Sequence, residues 1–406
     1  MVTLICYEWR KHFRKVSLIT VLLLFTMINI GKIHSVRESN SLLANPGWKA
    51  LYLDEFQDFG GIITDRKIKE LMTIYQPLVN QTADLTLSTT YRPVGTRLIN
   101  IYEDWNFFRY CFVNPMKYNY EYKAYAIDVA NKAEENKVFF KSIGNYYESK
   151  KNSAISRLFL GREIASFSYT EMYKFYVQYD FSALLVLLLS LYGLMSVFLS
   201  EKETEMDTLL LTTTMGGART VWAKVMASAL YVCFVSFWFW FVDYMTFSIV
   251  FGSWNASGSP LYALEDFIHA GLNVSLGQYA LLSGLLKTLG ILVVGGGFLF
   301  ISNLFQNALI PYIANLILAF GCIYQQEAFM SSGHILLRII NPFVLVVNRD
   351  LFRKAEFVSL LGYPLPGYIA AILFGLVWGI GFLCALGLCI RKNALRKGGK
   401  RVDMVI

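Results

Sequence analysis

Six stretches of this chain are long and apolar enough to cross a lipid bilayer, and this restricts the fold more than any other feature. In hydrocarbon each backbone N–H and C=O has to be bonded within the protein, so isolated apolar spans are helices. A span needs roughly 20 apolar residues at 1.5 Å rise each; residues 16–33, 181–200, 225–251, 279–302, 307–325 and 367–390 approach or meet that length. The first run is the shortest and shares its length with the apolar region of a secretory signal. No small-x-small cleavage site follows, since Ile33-His-Ser-Val-Arg-Glu is a poor substitute, and the run is read as an uncleaved anchor.

Composition agrees: 55% of the 406 residues are hydrophobic, only 16% are charged, and the mean hydropathy is +0.43. The six cysteines lack paired spacing, which argues against a disulfide framework and a CxxC metal pair. A net charge of +8 would suit a nucleic-acid partner, but the excess is concentrated in two places. Arg10, Lys11, Arg14 and Lys15 precede the first run, and Arg391, Lys392, Arg396, Lys397, Lys400 and Arg401 follow the last. Both clusters sit where Lys and Arg set membrane orientation, with contacts to anionic membrane lipid as a second use. No aromatic-interleaved basic patch accompanies them, so nucleic acid is not expected as a partner.

Holding Arg10–Lys15 inside makes the spans alternate so that residues 201–224 and both chain ends are cytoplasmic. The expected fold class is an all-α polytopic membrane protein with six transmembrane helices and a large, mainly helical extracellular domain between helices 1 and 2. Its organisation is a basic amphipathic elbow (1–15), spans 16–33 and 181–200 around the domain 34–180, an inner loop 201–224, and spans 225–251, 279–302 and 307–325. A re-entrant or interfacial extracellular segment (326–366), a last span (367–390) and a basic tail (391–406) complete it.

The segment 34–180 is too long to lack structure of its own. Thr64–Tyr75 reads as a capped amphipathic helix with Ile68, Leu71, Met72 and Tyr75 on one face, and 121–140 reads as another. More than half of the 25 tyrosines fall here. They either pack the domain and the bilayer interface or present a recognition surface. Between 326 and 366, Asn341-Pro342 and Tyr363-Pro-Leu-Pro-Gly367 interrupt a half-apolar stretch, a pattern that suits short helices dipping into or lying along the interface.

Inside the spans, Asp243 lies 19 residues past Lys224, roughly 28 Å along a helix, and therefore near the outer interface. Lys287 enters span four near the same level; the two either pair or reach separate surroundings. Gly295-Gly296-Gly297 permits close helix approach.

The inner loop is the most informative polar stretch. Glu201, Glu203, Glu205 and Asp207 form an acidic patch where positive residues would normally predominate. Thr208 to Leu211 offer a short apolar stripe, Gly216-Gly217 a turn, and Arg219 and Lys224 a basic exit, a polarity that suits the dipole of a short interfacial helix. The stretch resembles the inner loop of ABC-2-type permeases, the membrane subunits of ATP-binding cassette exporters. Those proteins commonly carry a Glu-[Lys/Arg]-Glu start, a Gly-Thr, a Leu-Leu-x-[Ser/Thr] run, a Pro and an Arg, and a Lys opening the next span. Glu201-Lys202-Glu203, Thr208, Leu210-Leu211-Thr212, Arg219 and Lys224 follow that order. Asp207 stands where Gly is frequent, and Met215-Gly-Gly replaces the Pro region. The layout is also similar to the family's, and Tyr7–Lys15 is similar to its N-terminal elbow.

The resemblance implies a permease with no cofactor of its own, paired with a second copy or a homologous permease. ATP and Mg would be held by a separate cytoplasmic ABC ATPase docking at Glu201, Glu203, Glu205, Asp207, Thr208, Leu210, Leu211, Arg219 and Lys224. Gly-x-x-x-x-Gly-Lys-[Ser/Thr] is absent, so this chain has no P-loop. It also lacks HExxH and GxSxG, and Glu265-Asp-Phe-Ile-His269, with two carboxylates at helical spacing from a histidine, has no evident third metal ligand. The chain is therefore not expected to be an enzyme. The cargo expected from an apolar, aromatic path is an amphipathic peptide, antibiotic or lipid, exported across a bacterial plasma membrane. A membrane-anchored peptide sensor or immunity protein is the alternative.

Overall fold

The apolar runs all become helices, and they are longer than hydropathy alone marks them. The structure, a computed structural model, describes residues 1–84, 98, 100–203, 218–252, 254–307, 309–330 and 334–402. Among the described residues, six helices are long and apolar enough to cross a membrane: α2 (Val16–Asn40), α9 (Phe181–Glu203), α10 (Ala218–Phe251), α11 (Leu276–Leu304), α12 (Leu309–Met330) and α15 (Gly367–Val402). The chain is a predominantly helical polytopic membrane protein. Ahead of α2 lies the short helix α1 (Val2–His12).

The helix α9 is the axis of the bundle. Its apolar window is 72% buried, against 22% for those of α2, α12 and α15, whose outer faces offer Leu, Ile and Val to lipid. The approach of α9 to α10 is set at Gly193, where a Cβ would stand 2.4 Å from the Tyr231 ring. The Tyr231 hydroxyl donates to Leu189 O at 3.1 Å, so aromatic packing and a satisfied hydroxyl lock the same crossing. Gly295, in the triple-glycine run of α11, would bring a Cβ to 3.0 Å from Leu194 of α9. Close approach at the glycines therefore serves neighbours within this chain.

Between α2 and α9 the chain folds into α3 (Pro46–Phe59), α4 (Asp65–Asp84), α5 (Ile101–Phe108), α6 (Asn114–Ser142), α7 (Tyr146–Phe159) and α8 (Glu171–Gln178). A two-residue antiparallel ladder pairs β1 (Gly61–Ile62) with β2 (Ser166–Phe167). The helix expected from Thr64 starts there, with Thr64 Oγ1 accepting from Lys67 N, but runs on through Pro77. The one expected over 121–140 extends to both sides, from Asn114 to Ser142.

This inserted region is not a separate ball on a tether. Residues of α6 and α7, including Tyr122, Ala126 and Phe159, share one continuous core with Ile33 of α2, Phe247 of α10 and Tyr279 of α11. Only the outer part, around Tyr52, Phe107 and Phe112, has a core of its own. Tyr118, Tyr122 and Tyr125, on one face of α6, bond Tyr262 O, Ile268 O and His269 Nδ1 in the connection between α10 and α11. These tyrosines are packing and seating groups, and His269 is held by Tyr125 at 2.7 Å. Arg162 fastens the same junction: its Nε donates to Asn273 Oδ1 and its Nη2 to Ala270 O, both at 2.7 Å, while the guanidinium stacks over Phe159 and Tyr262.

The segment expected to lie along or dip into the interface packs against the flank of α11. After α12 come α13 (Ile335–Ile339), a 3-10 turn (Pro342–Leu345) and α14 (Arg349–Arg353). Phe343 to Val346 are buried, and the Val346 backbone nests on Gly290, 14 residues or roughly 21 Å into α11. Non-helical backbone at that depth is stable only where protein covers it. Asn341 and Asn348 tie the turn down, donating to Cys322 O at 2.7 Å and Ser283 O at 3.0 Å. The expectation of helices alone is corrected by a hairpin that follows, β3 (Phe357–Leu360) and β4 (Tyr363–Pro366). Its tip, Leu361-Gly362, takes positive φ at both positions (52° and 80°), the two-residue turn whose twist matches paired strands.

Candidate functional site

The end of the bundle bearing α1 carries a buried charge cluster. Trp9 and Phe13 give α1 an aromatic edge that packs on α10, Phe13 stacking on Tyr231 with centroids 4.4 Å apart. That anchoring turns Glu8 and His12, one helical turn apart, inward, where they are 3% and 1% exposed. They meet Glu201 at the end of α9 and Lys224 near the start of α10, 6% and 2% exposed. Lys224 Nζ stands 2.6 Å from Glu201 Oε1, 3.5 Å from Glu8 Oε2 and 3.2 Å from Val197 O. Lys11 Nζ reaches the same Glu201 oxygen at 2.7 Å. Two carboxylates thus face two ammonium groups, a neutral sum that makes burial tolerable where a lone charge would cost several kcal/mol.

His12 completes the cluster as an uncharged neighbour. Its Nε2 is 3.2 Å from Glu8 Oε2, but the angle is poor, and neither ring nitrogen has a well-directed hydrogen bond. Burial pushes the imidazole below its ordinary value, and the Lys224 and Lys11 charges add to that against the pull of Glu8. For Glu8, burial works against the charge, yet the close His12 ring and Lys224 prevail and hold the carboxyl below its ordinary value.

Ligand atoms of Glu8, His12 and Glu201 lie within 4.8 Å of one another, a spacing a metal ion could bridge. The chemistry of the set argues otherwise. Lys224 already occupies the space between the carboxylates, and the two lysines balance their charge, so a cation would have to displace an ammonium. The arrangement is an ionic clasp that ties α1 to the ends of α9 and α10.

Of the residues expected from sequence to dock a partner, Glu201 and Lys224 are internal to this chain and engaged with each other. Glu203 and Arg219 are exposed on either side of the clasp. Glu205, Asp207, Thr208, Leu210 and Leu211 lie outside the described residues. The clasp partners Glu8, Lys11 and His12 escaped sequence reading, although an acid one turn from a histidine within a basic helix was a visible signal. Lys202 adds a second tie at this end, donating to Asn303 O and Phe305 O where α11 finishes.

At the opposite end a polar belt crosses the spans. Asp243 accepts from Asn29 Nδ2 at 2.6 Å, and Tyr179 OH donates to Asn29 Oδ1 at 2.7 Å. Lys287 turns instead to Tyr179 O at 3.3 Å and Asp180 at 3.8 Å, and Arg349 reaches Asp180 at 3.3 Å. Asp243 and Lys287 thus have separate partners while lining one small cavity of about 30 Å³, room for a single water.

Beyond the belt, where α2 and α10 end, a half-open cavity of about 560 Å³ lies between the spans and the inserted helices. Its walls are aromatic and aliphatic, with Tyr52, Phe56, Val250 and Phe251 among them, and two cations, Arg37 and Lys49. A second cavity of about 370 Å³ shares the Ser166–Ser168 wall. Comparison with known proteins returned no matching family, no matching curated protein and no matching solved structure.

Proposed function

We propose that the chain is the membrane permease of an ATP-driven exporter, working with a second permease copy and a separate cytoplasmic ATPase. The observation that carries this reading is the buried clasp. A helix lying outside the spans is tied by Glu8, Lys11, Glu201 and Lys224 to the two spans flanking residues 204–217. A push on that insert or on α1 would move α1, α9 and α10 as one body, and Lys202 would carry α11 along. Nucleotide-driven closure of the partner is then a shift between two arrangements of the bundle, felt at its far end against the seated 342–346 segment. The basic end is cytoplasmic in this reading, because Lys and Arg concentrate there, and the inserted helices face outward from a bacterial plasma membrane.

The test is to purify the chain with its cognate ATPase and measure ATP hydrolysis in vesicles. The exposed pair Glu203→Ala/Arg219→Ala should lower stimulated hydrolysis severalfold, whereas Lys141→Ala, on an exposed side chain of α6, should leave it unchanged. Hydrolysis indifferent to Glu203 and Arg219 would sink the docking claim. Retention of ligand in the 560 Å³ cavity without any coupled hydrolysis would favour a membrane-anchored sensor.

A further inference from the structure

We infer that the cavity between α2, α3 and the end of α10 is a binding site for an anionic amphiphile, specifically a membrane lipid with a phosphate headgroup. Three observations converge on it. Its position is interfacial: Arg37 lies 21 residues past Val16, roughly 31 Å along α2 and about one hydrocarbon thickness from the helix start. Its walls are mixed in the way an amphiphile requires, with Tyr52, Phe56, Val250 and Phe251 forming the apolar part. Among the described residues its charge is of one sign, since the ionisable lining residues other than tyrosine are Arg37 and Lys49, with no carboxylate among them.

Neither cation has an ion-pair or side-chain hydrogen-bond partner among the described residues, so both are available to a ligand. Glu171, the acid bonded to the lining residue Tyr169, is taken up by Tyr169 OH and Leu42 N. Two uncompensated cations over an aromatic floor at the membrane boundary attract a phosphate head and exclude a plain hydrocarbon. The seryl and asparagine groups Ser41 and Asn255 supply further polar contacts at the same wall. The volume falls within the range of sites that enclose most of a small ligand, enough for a headgroup and the upper part of its chains.

As a cargo site this cavity rests on the permease reading; as a binding site it does not. Binding is therefore read on the purified full-length chain with no ATPase present, so the two readings fail separately. Leu53, an exposed lining residue, is replaced by photoreactive p-benzoylphenylalanine, and the chain in maltoside micelles is offered palmitoyl-oleoyl phosphatidylglycerol. Phosphatidylglycerol should crosslink, and the matched phosphatidylcholine should compete poorly. Arg37→Gln/Lys49→Gln should weaken phosphatidylglycerol binding about tenfold or more, equivalent to about 1.4 kcal/mol. Arg37→Lys/Lys49→Arg should retain it. If the double variant elutes as aggregate, Lys49→Gln alone, on an exposed side chain, carries the test. Equal crosslinking of the two lipids, or an unchanged yield in the glutamine variants, overturns the inference. Displacement by millimolar inorganic phosphate would reduce the site to a plain anion site and overturn it too.

Discussion

At the scale of single residues, the clasp depends on balance more than on any one bond. Lys224→Met leaves the buried Glu8 carboxylate without an ammonium and Glu201 with Lys11 alone, and Glu201→Gln leaves the buried Lys224 only its longer contact to Glu8; each should destabilise the folded chain by about 3–5 kcal/mol in denaturant unfolding. The double change Glu201→Gln/Lys224→Met should cost well under the sum of the two, and strict additivity would show that the pair does not interact. Acid should loosen the same contact. The His12 pKa is lower in the folded chain than in the unfolded one, so the unfolded imidazole takes up protons that the folded one refuses. Stability is complete above the ordinary imidazole value of about 6.5 and declines as pH falls below it, with depressed Glu8 adding a loss in the same direction at lower pH. A spin label on the exposed Cys6 of α1 should gain mobility between about pH 6.5 and 5, and His12→Gln should flatten that change. A label equally immobile at both ends of the range would refute it.

Among the elements, the segment around the 3-10 turn Pro342–Leu345 is the one whose position rests on a glycine. At Gly290 a Cβ would stand 2.9 Å from Val346 N and 2.8 Å from its Cγ2, and backbone cannot swing aside as a side-chain tip can. Gly290→Ala should therefore lift the segment and destabilise the bundle by about 1–3 kcal/mol. Gly379→Ala, whose Cβ meets Val293 at an ordinary 3.6 Å, should be silent in the same melt. If both behave alike, the seat is looser than described. The spans themselves were legible from their apolar length, because a helix in hydrocarbon satisfies its own backbone and needs no partner to be recognised. Their ends were less so: α2 continues past the expected limit at residue 33 to Asn40, through a last stretch that is mostly polar and exposed. The hairpin escaped because Pro364 and Pro366 mask strand character, although Leu361-Gly362 between two short apolar runs was a turn signal.

For the whole molecule, the junction at Arg162 decides whether the inserted helices and the spans move together. Burial holds its guanidinium below the ordinary value, yet its fork meets carbonyl, amide and hydroxyl oxygens, and the residue remains the shared partner of α6, α7 and the 270–273 connection. Arg162→Ala should destabilise by about 3 kcal/mol and speed amide exchange at 270–273. Arg162→Lys should not rescue it, since an ammonium cannot reproduce the fork; full rescue would show that charge alone suffices. Sequence could announce a large helical insert but not this seating, because Arg162 finds Asn273 across 111 residues and no local period encodes such a meeting. The burial of Glu201 and Lys224 was hidden for the same reason, their companion helix having passed far earlier in the chain. That separation also imposes an order in time on a growing polypeptide. Lys11 and Glu201 are 190 residues apart, so at ribosomal speeds of about 5–20 residues per second α1 waits roughly 10–40 s for its partner to be made. During that interval α1 has neither α9 nor α10 to pack against, and its capture by them marks the moment at which the first half of the protein closes on itself.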